Sequence, residues 1–178
     1  MSFVSAELAE LVRSHVRDVP DFPSEGVLFR DITPLIADGP AFDALITALA
    51  DAYRGRIDAV AGLESRGFIL AAPLAARLGI GMVMVRKAGR LPGPVLGVDY
   101  SLEYGTARLE VRAETVQDGS RVLILDDVLA TGGTAAAAIT LIEQAGGHVP
   151  GLAVLLELEA LAGRRKLEGY EVQSVLTY

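Results

Sequence analysis

Apolar positions recur along this chain with two distinct periods. Leu8, Leu11, Val12, Val16 and Val19 fall at helical spacing, which predicts an amphipathic helix over residues 5–19, ended by Pro20. His15 lies beside that stripe and reads as structural or solvent-facing. The helical period returns at Phe42, Leu45, Ile46, Leu49 and Tyr53. Between the two helices, Asp21-Phe22-Pro23-Ser24-Glu25-Gly26 is turn chemistry, followed by Val27-Leu28-Phe29 and Arg30-Asp31-Ile32-Thr33-Pro34. A connection as long as residues 20–40 in a compact chain is often functional.

The second period belongs to strands. Apolar runs at 57–63, 82–85, 122–125, 149–158 and 172–176 predict buried strands, with helices at 68–78 and 135–145. Residues 107–111 alternate and predict a half-exposed strand, whereas 86–97, with Pro92 and Pro94, reads as irregular. Continuous apolar strands alternating with helices predict a parallel sheet covered on both faces. The expected architecture is therefore doubly wound α/β, formed as one domain over residues 1–178 with no internal repeat or linker. In such folds a ligand sits beyond the carboxyl ends of the strands, near a switch point.

Composition narrows the chemistry. There is no cysteine, which removes disulfides, thiolate zinc sites, iron–sulfur clusters and cysteine nucleophiles. The net charge of −7 argues against a nucleic-acid partner, whose phosphates need a cationic footprint. The local basic patch of Arg86, Lys87 and Arg90 suits a small polyphosphate better than a duplex, or is simply a solvated face. The start of the chain lacks a basic segment followed by an apolar core, so no secretory leader is expected. The longest uncharged stretch, from Val128 to Ile142, falls short of the ~20 apolar residues of a membrane span. A cytoplasmic protein with no membrane partner is the expectation.

One segment dominates: Val122-Leu123-Ile124-Leu125-Asp126-Asp127-Val128-Leu129-Ala130-Thr131-Gly132-Gly133-Thr134-Ala135-Ala136. It reads as a strand, two acids, a glycine turn and an alanine-rich helix. Glycines let the backbone come close to a ligand. Free N–H groups and the dipole at a helix N-terminus favour an anion, so Thr131 to Thr134 suit a phosphate. The adjacent acids suit a ribose diol, whose hydroxyls need acceptors. The competing reading is a tight turn with Asp126 and Asp127 merely solvated. Neither G-x-x-x-x-G-K-[ST] nor G-x-G-x-x-G after a strand occurs, which argues against a P-loop NTPase and a dinucleotide fold.

Val122 to Thr134 resembles the phosphoribosylpyrophosphate-binding signature of the type I phosphoribosyltransferases. Four further segments are similar to the adenine-using members of that family, in one register over nearly the whole chain. They are Asp21-Phe22-Pro23 with Gly26 to Pro34, Ala61 to Phe68, Arg86 to Gly93 with Tyr100 to Gly105, and Leu155 to Leu158. Three positions depart from the common pattern: Glu64 where many members have Asp, Ala88 where Pro is frequent, and Arg90 where Lys is usual.

The resemblance implies an N-terminal hood at residues 1–40 and a mobile flap at 86–106. It implies that Ala130, Thr131, Gly132, Gly133 and Thr134 hold a 5′-phosphate and that Asp126 and Asp127 hold the ribose hydroxyls. Glu64, Ser65, Arg66 and Gly67, with Arg86, Lys87 and Arg90, would bind pyrophosphate. Leu28 and Leu158 would sandwich adenine, while backbone groups near Leu28 and Arg30 read its edge; Phe29 and Leu158 each belong to the slot or else to the core. Arg66 and Glu103 would be catalytic, Glu103 as the acid/base group, or else as an exposed hairpin residue. The implied reactants are adenine and 5-phosphoribosyl-1-pyrophosphate, and the products AMP and pyrophosphate. Mg²⁺ would be held mainly by the substrate phosphates rather than in a protein cage. A homodimer is implied in the same way. Rival readings are a related enzyme using hypoxanthine, guanine, xanthine or orotate, a nucleic-acid-binding regulator, or an unrelated α/β scaffold.

Overall fold

The computed structural model describes residues 4–101 and 105–178, and the chain divides into two units between Ala52 and Tyr53. In the first unit, helix α1 spans Ala6–Ser14 and is capped by Ser5, whose Oγ accepts the Leu8 amide at 3.1 Å. It stops five residues before the predicted end. Residues Arg17–Pro20 instead form strand β1, antiparallel to β2 at Leu28–Asp31, with Val19 opposite Phe29. The helical spacing of Val16 and Val19 is thus coincidental. The β-branched side chain of Val19 suits a strand, and the partner strand lies outside the run that a period count reads. Helix α2, Thr33–Ala37, follows with Pro34 in its first turn. Helix α3, Gly39–Tyr53, buries Leu45, Ile46 and Leu49 as predicted.

The second unit carries a seven-stranded sheet among the described residues. Its strands are β3 (Ala59–Leu63), β4 (Gly81–Lys87), β5 (Leu96–Ser101), β6 (Thr106–Val111), β7 (Val122–Leu129), β8 (Gly151–Glu157) and β9 (Glu171–Thr177). The spatial order is β5-β6-β4-β3-β7-β8-β9. From β4 to β9 the neighbours β4-β3-β7-β8-β9 are parallel, as expected. The β5–β6 hairpin joins β4 antiparallel at one edge. The segment read as irregular therefore contains the start of β5. Leu96, Val98 and Tyr100 alternate inward against the core, a period-2 signal masked by Pro92, Pro94 and two glycines.

Helices α4 (Arg66–Leu78) and α5 (Gly133–Gln144) follow β3 and β7. The chain leaves β3 for β4 on one side and leaves β7 for β8 on the other. β3 and β7 are adjacent, so their exit loops diverge and open a cleft at the switch point. On β7, Val122 and Ile124 join the cluster that holds Ala137, Ala138 and Leu141 of α5. Leu123 and Leu125, also fully buried, alternate to the other face. Leu123→Ala should destabilise the protein by about 3 kcal/mol, because a close-packed site collapses only partly around the lost atoms. Denaturant unfolding would measure it.

Candidate functional site

The sequence placed Asp126 and Asp127 after a strand ending at Leu125, but β7 runs on to Leu129 and carries both acids. The two acids are thus fixed by the sheet ladder, opposite the loop that leaves β3. In that loop the Glu64–Ser65 peptide is cis, and α4 begins at Arg66. The Arg66 Nε lies 2.6 Å from Asp127 Oδ2, and Asp127 is buried. Gly67 permits this approach. A Cβ there would meet the Leu125 carbonyl at 2.6 Å and Asp126 Oδ1 at 3.2 Å. Any side chain would lift the first turn of α4 off β7.

Asp126 is only partly exposed, and its Oδ1 accepts the Asp127 amide at 2.9 Å. Burial, and then the neighbouring Asp127 charge, push the Asp126 carboxyl well above the usual carboxylate range; Arg66 opposes this without cancelling it. Beyond β7, Gly132 adopts a left-handed conformation with φ 78° and leads into α5 at Gly133. Thr131 precedes that turn and Thr134 lies in the first turn of α5.

A cavity of about 550 Å³ occupies the cleft, large enough for a nucleotide-sized ligand. The structure brings Glu64, Ser65, Arg66, Lys87, Asp126, Asp127 and Ala130 to Thr134 to its walls. Tyr100 lines it too, on the β5 strand that sequence reasoning missed. Gly67 is packed behind the wall.

Arg86 and Arg90 are not among the lining residues. Arg86 instead donates to Glu64 through Nε at 3.2 Å and Nη2 at 3.3 Å, and to the Arg90 carbonyl at 3.0 Å. Burial pushes the Glu64 carboxyl up. The Lys87 amide at 2.9 Å, the Arg86 guanidinium and the Arg90 charge outweigh it and hold that carboxyl below the usual range. The Glu64 carboxylate is thus already satisfied, at the carboxyl end of β4.

Leu158 follows β8, and its amide donates to the Leu129 carbonyl at 2.9 Å. In the first unit, β2 carries Leu28, Phe29 and Arg30. Leu28 is exposed, Phe29 packs edge-on against Phe22 with centroids 5.1 Å apart, and Arg30 is paired with Asp18. Glu103 lies outside the described residues. Among the described residues no group of three or more His, Asp or Glu side chains is placed to hold a metal ion, and no helix is long and apolar enough to cross a membrane.

Comparison with known proteins adds three findings. Residues 36–176 match the phosphoribosyl transferase domain family. The chain is 56% identical over 171 residues to adenine phosphoribosyltransferase of Frankia casuarinae, covering 96% of this chain and 91% of that one. The Thermobifida fusca enzyme of the same name is 55% identical, with 98% and 99% covered. Among solved structures, adenine phosphoribosyltransferase of Thermoanaerobacter pseudethanolicus superposes with a TM-score of 0.91 at 47% identity, covering 96% and 99% of the two chains. The Saccharomyces cerevisiae enzyme, crystallised with an imino-altritol bisphosphate and adenine, gives a TM-score of 0.92 at 40% identity, with 97% and 100% covered.

The raised Asp126 carboxyl has a thermodynamic consequence. A carboxyl that the fold raises binds its proton more tightly in the folded than in the unfolded chain, so stability falls as pH rises from the ordinary carboxylate range to the raised value. Asp126→Asn keeps an acceptor for the Asp127 amide and removes the charge. Its Tm at pH 7 should exceed that of the native protein, with the difference closing toward about pH 4. Calorimetry across that window would check both parts.

Proposed function

We infer the reaction from kinship and site together: the chain belongs to the phosphoribosyl transferase domain family and transfers the 5-phosphoribosyl group of 5-phosphoribosyl-1-pyrophosphate to adenine, giving AMP and pyrophosphate in purine salvage. The observation that carries this reading is the cavity in which two acids of β7, the glycine turn before α5 and Arg66 converge.

That geometry supports a role for each residue of the cavity. The reaction breaks the bond between the anomeric carbon and pyrophosphate and forms one to a purine nitrogen. Negative charge grows on the leaving oxygens while the ribose gains oxocarbenium character. The main-chain donors of Ala130 to Thr134, at the start of α5, suit the 5′-phosphate. Asp126 and Asp127 accept from the 2′- and 3′-hydroxyls. Arg66 spans the two functions, since its guanidinium meets Asp127 and opens onto the same cavity. It holds the leaving pyrophosphate together with Lys87 and the main chain of Glu64, Ser65 and Gly67.

Arg86 and Arg90 contribute positive charge from the base of the flap at 86–106, which closes over the substrates and limits water. Leu28, Phe29, Arg30 and Leu158 serve as adenine contacts, and Glu103 as the acid/base group, by the resemblance of their segments. Two carboxylates, one of them ion-paired to Arg66, fit a divalent cation that arrives on the substrate rather than one caged by protein. Mg²⁺ bound to the phosphates would neutralise charge on the leaving group. The same reading makes the protein a cytoplasmic homodimer with residues 1–40 as a hood.

With 5-phosphoribosyl-1-pyrophosphate and Mg²⁺ present, pyrophosphate release should be fast with adenine and at least 100-fold slower with hypoxanthine, guanine, xanthine or orotate, since unpaired polar edges are strongly rejected. Comparable rates with any of these bases would replace the adenine assignment. Glu103→Gln should lower kcat by about 100-fold or more with little change in affinity for phosphoribosylpyrophosphate. Single-turnover kinetics with calorimetric binding would separate the two effects.

A further inference from the structure

Phosphate is held by main-chain donors only if those donors converge, and a loop rich in glycine does not hold its own shape. Something must back it. On one flank of the loop, Gly133 approaches β5, where an added Cβ would stand 3.2 Å from the Ser101 carbonyl. On the other flank stands a turn remote in sequence, Gly163–Leu167, which follows β8. A Cβ on Gly163 would come within 2.8 Å of the Gly132 amide and closer still to the Ala130 carbonyl. Reciprocally, a Cβ on Gly132 would lie 3.0 Å from the Gly163 carbonyl carbon, with its oxygen nearer. The two glycines face one another with no room for a methyl group.

That turn is held by a second constellation. Glu157 is the last residue of β8, buried, and paired in register with Leu129, the residue before the loop. Arg164 engages it with a fork: Nε reaches Oε1 at 2.8 Å and Nη2 pairs with Oε2. The remaining Nη1 donates to the Val172 carbonyl at 2.7 Å, and Ser174 Oγ donates to Glu157 Oε2 at 2.8 Å. At the far end of the turn Leu167 is fully buried in the core cluster. The turn is thus tied at both ends, with β8 and β9 as its anchor. The Arg164 hydrogen bonds hold the Glu157 carboxyl below its usual range, so the pair stays charged at neutral pH.

We propose that Gly163, Arg164 and Glu157 are positioning residues: the forked Glu157–Arg164 pair presses the Gly163 backbone against Ala130 and Gly132 and so shapes the loop that takes the 5′-phosphate. The inference rests on the assignment of that loop to the 5′-phosphate. A fork is required rather than a charge alone, because Lys cannot bond both Glu157 oxygens and the Val172 carbonyl in one plane. The role is selective. It concerns the 5′-phosphate end of the cavity and leaves the pyrophosphate end, around Arg66, untouched.

The test uses the full-length enzyme with ribose 5-phosphate, AMP and pyrophosphate as separate probes. Gly163→Ala should weaken ribose 5-phosphate and AMP by tenfold or more, raise the KM for phosphoribosylpyrophosphate in step, and leave pyrophosphate affinity within twofold. Arg164→Lys should fall between native and Arg164→Met on the same scale. Glu157→Gln with Arg164→Lys carries the readout if Gly163→Ala does not fold. Equal weakening of pyrophosphate and ribose 5-phosphate would overturn the proposal, as would Arg164→Lys matching native. Failure of the native enzyme to bind AMP would instead overturn the phosphate-loop assignment beneath it.

Discussion

Main chain packed against main chain at the carboxyl end of β7 is the constraint from which the rest of this site follows. Gly67 lets the first turn of α4 touch the Leu125 carbonyl, and Gly132 lets the loop before α5 touch Gly163. Both contacts would be lost to a single methyl group. Because α4 sits so close, its first residue, Arg66, reaches an acid on the neighbouring strand. Because the loop is confined between β5 and the Gly163 turn, its donors line one cavity with that acid pair. Side chains then work from a frame set by the backbone, which favours a small anion and a sugar over any extended partner.

Charge is organised around this frame in two ways. Ion pairs at the rim of the cavity and behind it lock geometry: Glu64 with Arg86 at the carboxyl end of β4, and Glu157 with Arg164 behind the loop. In each, a forked guanidinium meets a well-satisfied carboxylate, the arrangement in which orientation matters more than net stability. Within the cavity the balance differs. Asp126 and Asp127 are adjacent, partly or fully buried, and share one nearby cation, so holding both ionised costs the fold stability. Sites that must meet several substrate hydroxyls commonly keep such a cost, because ligand binding supplies the missing partners.

Much of this was legible along the chain. The parallel strands were visible as unbroken apolar runs, since a strand buried on both faces has no polar side to alternate with. Asp126, Asp127 and the glycine turn stood out because their chemistry is local: acids, turn and helix start follow one another without a gap. The misreadings have a common origin. Residues 17–20 kept a helical period yet pair with β2, and residues 96–101 kept a strand period yet sit among prolines and glycines; a partner strand outside the run itself decides each case.

Local order of residue types therefore determined the α/β class, the strand-to-helix unit with its two acids, and the family resemblance, because each depends on neighbours within a few turns of chain. Tertiary structure alone decided that β7 carries the acids inside the sheet, that Arg66 meets Asp127, that Arg86 turns to Glu64, and that Gly163 backs the glycine turn before α5. Those facts join residues 22 to 61 positions apart, or hang on how far a ladder continues. Closure of such long loops is settled by the packed sheet as a whole, and no window of sequence contains it.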